Sequence, residues 1–225
     1  MDAATLPVSP DLLRRFDVAG PRYTSYPTAD RFVEAFGAPD YVQALAQRRD
    51  AATPLPLSLY VHVPFCESLC YYCACNKIIT KQKGRAATYL RYLARETALH
   101  TAVLGRGQGV SQLHLGGGTP TFLSDDELRQ LMAMLRRNFA VAPGAECSIE
   151  IDPRTVTAER LQVLADLGFN RISFGVQDFD PDVQKAVHRE QPYEQVAALM
   201  EDARRIGFDS VNVDLIYGLP RQTPE

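Results

Sequence analysis

Along the chain the spacing of apolar residues changes near residue 57. Before it, Pro7, Pro10, Pro21, Pro27, Pro39, Pro54 and Pro56 interrupt every run, and one helix is predicted, near 41–48. From Leu57 onward, short β-branched or apolar runs alternate with longer segments of helical period. The runs are LSLYVHV (57–63), VSQLHLG (110–116), CSIEID (147–152), RISFGV (171–176) and SVNVDLIYG (210–218). Helix boundaries stand between them. SDDE at Ser124 predicts a capping box, Asp180-Pro181 a cap with a first-turn proline, and Gly168 and Gly207 helix-ending glycines. Such alternation predicts an α/β fold on a parallel sheet, open or closed into a barrel.

Within the runs the polar residues keep one parity: Tyr60 and His62; Gln112 and His114; Ser148, Glu150 and Asp152; Ser173 and Gln177; Asn212 and Asp214. Their neighbours of opposite parity are mostly Val, Ile, Leu and Phe, as expected beneath covering helices. A sheet covered on both sides would be apolar on both faces, and a filled barrel would carry bulky branched residues inside. The expectation is therefore a curved sheet with helices outside and a polar cavity inside. Residues 1–56 read as an N-terminal arm and 57–225 as a partial (β/α) barrel. A closed barrel takes about 250 residues for eight units, so the reading is a barrel truncated after its fifth strand. There is no internal repeat beyond this alternation and no low-complexity tract.

A hydrophobic fraction of 46% in 225 residues can fill a core. The net charge of -3 gives no overall basic excess, so composition offers nothing in favour of a nucleic-acid surface. MDAATLPVSPDLL does not show the basic region followed by an apolar core that an export signal needs, and no run reaches the ~18 apolar residues of a membrane span. The expected location is cytoplasmic, away from any membrane. There, five cysteines with four between 66 and 75 read as a metal or redox site rather than a disulfide framework.

That cluster is CESLCYYCACNK (66–77), directly after the first strand. Cys66, Cys70 and Cys73 are spaced four and then three apart, which lets three thiols converge on one centre. Spacing alone leaves three readings open: zinc with Cys75 as fourth ligand, an iron-sulfur cluster, or buried free thiols. Position favours the cluster, because the C-terminal end of a barrel strand is where such enzymes build active sites.

CESLCYYC resembles the C-x-x-x-C-x-x-C signature of the radical S-adenosylmethionine enzymes. In that family three cysteines hold a [4Fe-4S] cluster whose remaining iron binds S-adenosylmethionine. PRYTSYPTADRF, YVHVPFCESLCYYCACNK, LHLGGGTPTFL, SIEIDPR, GVQDFD, HREQ and NVDLIYGLPRQTPE together resemble the oxygen-independent coproporphyrinogen III oxidase family, from about residue 20 to the end.

The resemblance implies anaerobic oxidative decarboxylation of two propionates of coproporphyrinogen III to vinyl groups, giving protoporphyrinogen IX in haem biosynthesis. It implies Cys66, Cys70 and Cys73 as cluster ligands and two molecules of S-adenosylmethionine. Tyr60 and Glu150 would meet the first, and Tyr72, Gln177, Arg189 and Asp214 would surround the second. Gly117, Gly118 and Thr119 would touch the methionine portions of both. Cys75 is implied as a catalytic residue outside the ligand set, and Arg22 as a contact to a propionate. A monomer, a cytosolic one-electron donor and an unidentified electron acceptor complete the expectation. Duller readings stand beside these: a tight turn for the glycines, a salt bridge for Glu150, a cap over the cluster for Tyr72, a helix-end cation for Arg189. His62 and His114 read as hydrogen-bonding groups of the cavity wall rather than metal ligands. The rival functions are a haem-binding chaperone of the same superfamily and, more remotely, a zinc-stabilised binding module.

Overall fold

The computed structural model describes residues 9–17 and 28–223. The chain divides into two compact units, Met1–Ala44 and Leu45–Glu225. In the first, α1 (Pro10–Phe16) starts from Ser9, whose Oγ accepts from the Leu12 N–H at 3.1 Å. Helix α2 (Ala38–Arg49) contains the helix predicted near 41–48 and crosses into the second unit.

The second unit is built on β1 (Leu57–Val63), β2 (Phe65–Cys66), β3 (Ile78–Ile79), α3 (Arg85–Leu104), β4 (Gln108–Gly117), α4 (Asp125–Asn138) and β5 (Phe139–Ile151). It continues through α5 (Ala158–Asp166), β6 (Arg171–Gln177), α6 (Pro181–Ala186), α7 (Tyr193–Ile206) and β7 (Ser210–Leu215). Five strands form one parallel sheet in the order β1-β4-β5-β6-β7, and β2 pairs with β3 separately. Sequential order with right-handed crossovers puts every connecting helix on the same side. This is the topology of a partial (β/α) barrel, and it leaves one sheet face without a connecting helix of the sheet's own.

The helix-covered face carries the core. Val61, Leu113, Leu115, Ile149, Ile151, Ile172 and Phe174 pack with Leu90 of α3, Leu128 and Leu131 of α4, Leu161 and Leu164 of α5, and Val196 of α7. Tyr60, His62, His114, Ser148, Glu150 and Ser173 alternate with them on the other face and stay partly accessible. The helix starts follow the sequence signals. Ser124 and Glu127 form the reciprocal capping box of α4, and Asp180 Oδ1 accepts from the N–H groups of Asp182 and Val183.

One strand begins earlier than its sequence suggests. β5 opens at Phe139, although Pro143-Gly144 reads as a turn. Val110 pairs with Val141 and Gln112 with Glu146, so the single residue Ser111 faces the four residues 142–145. The turn is carried as a bulge inside the strand, with Gly144 at φ +76 supplying the left-handed conformation. Among the described residues no helix is long and apolar enough to cross a membrane.

Candidate active site

At the end of β1 the chain passes Pro64 and enters a closed loop. The β2–β3 pairing ties its ends, with the Ile78 N–H donating to Pro64 O at 2.7 Å and the Thr80 N–H to Cys66 O at 2.8 Å. Cys66, Cys70, Cys73 and Cys75 all lie on it. Inside, Lys77 Nζ donates to the carbonyls of Cys73 (2.7 Å) and Cys75 (3.4 Å). Outside, the turn after α6 grips the loop. The Tyr71 N–H donates to Val187 O at 3.0 Å, the His188 Nδ1–H to Leu69 O at 2.8 Å, and the Tyr71 ring stacks on His188.

All the thiols are free: Cys70 is buried, Cys66 and Cys73 half-buried, Cys75 exposed. Donors reach two of the sulfurs. The Thr119 hydroxyl lies 3.5 Å from Cys66 Sγ; Arg189 Nη1 and Arg154 Nη2 lie 3.5 and 3.8 Å from Cys70 Sγ. Asp152 joins the two guanidiniums, accepting from Arg154 at 2.7 Å and Arg189 at 3.4 Å. Burial pushes the Asp152 carboxyl up, but the Arg154 hydrogen bond and the charges of Arg189 and Arg154 outweigh it and hold it below the usual range. Burial likewise pushes the Cys66 thiol up; the Thr119 hydrogen bond opposes this, and Cys73, Cys70 and Asp152 add to the rise. Cys75 is raised by burial and then by Cys73. Cys66 and Cys75 thus resist ionising unless a cation or cluster compensates the thiolate charge.

Among the described residues no three His, Cys, Asp or Glu side chains are gathered closely enough to hold one metal ion. A zinc ion with Zn–S near 2.3 Å would need tetrahedral thiolates about 3.8 Å apart. The loop therefore shows no closed single-ion site.

Beside the loop, Gly116 and Gly117 end β4 and Gly118 follows it, and each makes room for a protein group. A Cβ on Gly116 would lie 2.9 Å from Glu150 Cδ and Oε1; on Gly117, at φ +116, 2.8 Å from His62 Nδ1; on Gly118, 2.8 Å from Phe65 O. The N–H groups are occupied: Gly117 donates to Glu150 Oε2 (3.2 Å), Gly118 to Val63 O (2.8 Å) and Thr119 to Phe65 O (2.8 Å). Glu150 has no arginine or lysine partner among the described ion pairs; His114 Nε2 meets its Oε1 at 3.2 Å. Tyr60 joins this group through His62, Oη to Nδ1 at 2.9 Å, while His62 Nε2 meets Asn76 O at 2.7 Å. A carbonyl only accepts, so His62 carries its proton on Nε2 and receives the Tyr60 O–H at Nδ1. Both histidines are wall residues bonded to their neighbours.

A second group surrounds Gly175 of β6. Arg189, 7% exposed, donates from Nε to Gly175 O at 3.1 Å. Its guanidinium and the Gln177 amide both crowd the face where a Cβ would stand, 2.9 and 3.1 Å away. Asp214 pairs with Gly175 in register and accepts from Ser173 Oγ at 3.0 Å. Tyr72 borders Arg189 and Cys70, and burial pushes its hydroxyl well up. Arg189 is therefore a buried strut rather than a helix-end cation. Arg22 lies outside the described residues.

Asp152, Arg154 and His188, which lie within SIEIDPR and HREQ, join the site without having been expected from the sequence. The available signal was an Asp-Pro-Arg at a strand's C-terminal end, where a capping Asp leaves an Arg facing the site. A cavity of about 510 Å³ lined by Arg136, Phe139, Cys147 and Asn170 shares no residue with either group.

Residues 60–225 match the family model described as the radical SAM superfamily. The oxygen-independent coproporphyrinogen III oxidase of Pseudomonas aeruginosa is 54% identical over 217 residues, covering 96% of this chain and 47% of that protein. That of Escherichia coli K12 is 52% identical, covering 95% and 46%. A solved structure of coproporphyrinogen III oxidase from Escherichia coli, described as a radical SAM enzyme, superposes with a TM-score of 0.83 at 51% identity, covering 90% of this chain and 45% of that one. The chain spans about half the length of the curated relatives it matches.

Proposed function

The chain belongs to the radical SAM superfamily, and from that premise we propose that it forms the radical-generating part of an oxygen-independent coproporphyrinogen III oxidase, the name its relatives carry. Cys66, Cys70 and Cys73 would hold a [4Fe-4S] cluster. The donor set fits: three thiols share one closed loop, and hydroxyl and guanidinium donors aimed at two sulfurs lower the cost of thiolate charge. A cluster held there would supply one electron for cleavage of S-adenosylmethionine into methionine and a 5'-deoxyadenosyl radical able to take a hydrogen from a propionate of coproporphyrinogen III, which would then lose CO2 and one electron to give the vinyl group.

The chain's own residues bind and orient. Tyr60 commits its O–H to His62, so its oxygen is left as an acceptor, suited with Glu150 to an ammonium group of the first S-adenosylmethionine. Gly117, Gly118 and Thr119 have committed their N–H groups and would meet a ligand through acceptors, the glycine carbonyls and the Thr119 hydroxyl oxygen. Arg189, Gln177 and Asp214, gathered about Gly175, and Tyr72 beside Arg189 border the second S-adenosylmethionine. Cys75, exposed and outside the ligand set, takes a catalytic part, and Arg22 meets a substrate propionate. The enzyme works as a cytoplasmic monomer fed by a cytosolic one-electron donor, with a separate acceptor for the electron released as each vinyl forms.

The observation that carries this reading is the bond from Thr119 to Cys66, which joins the glycine turn to the thiol loop at the C-terminal edge of the sheet. The test is anaerobic reconstitution, with about four irons and four sulfides expected per chain, followed by S-adenosylmethionine, reductant and coproporphyrinogen III. Vinyl product is expected from the full chain; methionine release without it would defeat the oxidase reading.

A further inference from the structure

Tyr60, His114 and Ser148 form one row across three strands. β1 pairs Tyr60 with His114, and β4 pairs His114 with Ser148. Residues in register on one pleat face stand side by side. The Tyr60 ring stacks on the His114 imidazole, with centroids 5.7 Å apart and planes 13° from parallel. His114 Nδ1 is 2.6 Å from Ser148 Oγ, and its Nε2 is 3.2 Å from Glu150 Oε1.

Hydrogen-bond chemistry gives this row a direction. An ionised carboxylate only accepts, so Nε2 carries a proton; Nδ1 is then free to accept from the Ser148 hydroxyl, which can donate. The carboxylate's other oxygen accepts from the Gly117 N–H at 3.2 Å, and the missing Cβ of Gly116 leaves the group its place. Glu150 is therefore held at both oxygens by neutral donors. An arginine would orient the carboxylate and also cancel its charge; an imidazole N–H and a peptide N–H orient it and leave the charge for a cationic ligand group.

We propose that His114 is a positioning residue for S-adenosylmethionine. Held in the Nε2–H tautomer by Ser148, it aims the Glu150 carboxylate with its edge and supports the Tyr60 ring with its face. The inference rests on the functional reading above, which makes Glu150 and Tyr60 ligand contacts.

Two measurements on the full chain test it. In cofactor-free protein with 15N-labelled histidine, the His114 ring, identified among four histidines by its absence from His114→Phe, is expected to show the neutral Nε2–H pattern. Ser148→Ala is expected to blur that pattern toward a tautomer mixture. After anaerobic reconstitution, His114→Phe keeps a flat ring against Tyr60 but has no donor. It is expected to load iron and sulfide like the wild type and to bind S-adenosylmethionine about tenfold more weakly, the loss typical of one hydrogen bond to a charged group. KM should rise with kcat nearly unchanged, and His114→Gln, which restores an N–H donor, should recover most of the affinity. An Nδ1–H tautomer, or wild-type affinity in His114→Phe, overturns the inference alone. A wild-type chain that loads iron and sulfide yet takes up no S-adenosylmethionine overturns the functional reading and this inference together.

Discussion

Replacing Gly118 by alanine tests how tightly the glycine turn is locked to the cysteine loop. The added Cβ would lie 2.8 Å from Phe65 O and 2.9 Å from both C and O of Pro64. All three are backbone atoms at the loop entrance, so no flexible side chain can yield. The entrance must retreat by roughly half an ångström to reach ordinary contact, and overpacking of that kind costs about 1–3 kcal/mol. For a chain of this size each kcal/mol lowers Tm by about 2–4 °C, so a drop of about 2–12 °C is expected. The same retreat pulls on the bonds from Gly118 N to Val63 O and from Thr119 N to Phe65 O, each 2.8 Å, and on the contact from Thr119 to Cys66. Iron loading should therefore fall beyond what the lower stability accounts for. Gly84→Ala is the control: its Cβ meets nothing within 4 Å and its backbone is already right-handed, so its stability should stay within about 1 kcal/mol of wild type. Thermal unfolding followed by circular dichroism, then iron and sulfide counts at a temperature where both variants are folded, gives the comparison. A Gly118→Ala chain that melts and loads iron like Gly84→Ala would refute the steric argument.

Asp152→Asn leaves two guanidiniums, one of them buried, without their shared counter-charge and should cost about 3 kcal/mol by denaturant unfolding. Because the folded Asp152 carboxyl lies below its ordinary value, its contribution is present above about pH 3.9 and is lost as the pH falls through the folded value. The variant's deficit should accordingly shrink in acid, and a constant deficit from pH 7 down to pH 2 would contradict the ion-pair account. Ser124→Ala removes the hydroxyl of the α4 capping box and should lower stability by about 1 kcal/mol; an unchanged Tm would show that the helix does not depend on it. Cys75→Ala should leave the iron count at the wild-type value and abolish vinyl formation, whereas Cys73→Ala should lower the iron count. Equal iron loss in both would place Cys75 among the ligands.

The chain's own order of residues determined the features that neighbours along it can decide. Strand and helix alternation, the caps at Ser124 and Asp180, and the parity that leaves one sheet face wet all follow from periods of two and 3.6 residues and from capping chemistry. The parallel sheet and the loop of thiols at a strand end were therefore legible. The early start of β5 was not, because Pro143-Gly144 breaks a strand locally while pairing with β4 on both sides of the bulge carries it through. The occupants of the glycine turn and the grip on the cysteine loop belong to the tertiary structure alone. Arg189 meets Cys70 across 119 residues of sequence, as does His188 with Leu69, and His114 meets Glu150 across 36. Contacts at such separations leave no periodic trace, since they depend on strand register and loop closure. Which charge holds which thiol, and which imidazole holds which carboxylate, is decided only when the sheet has formed.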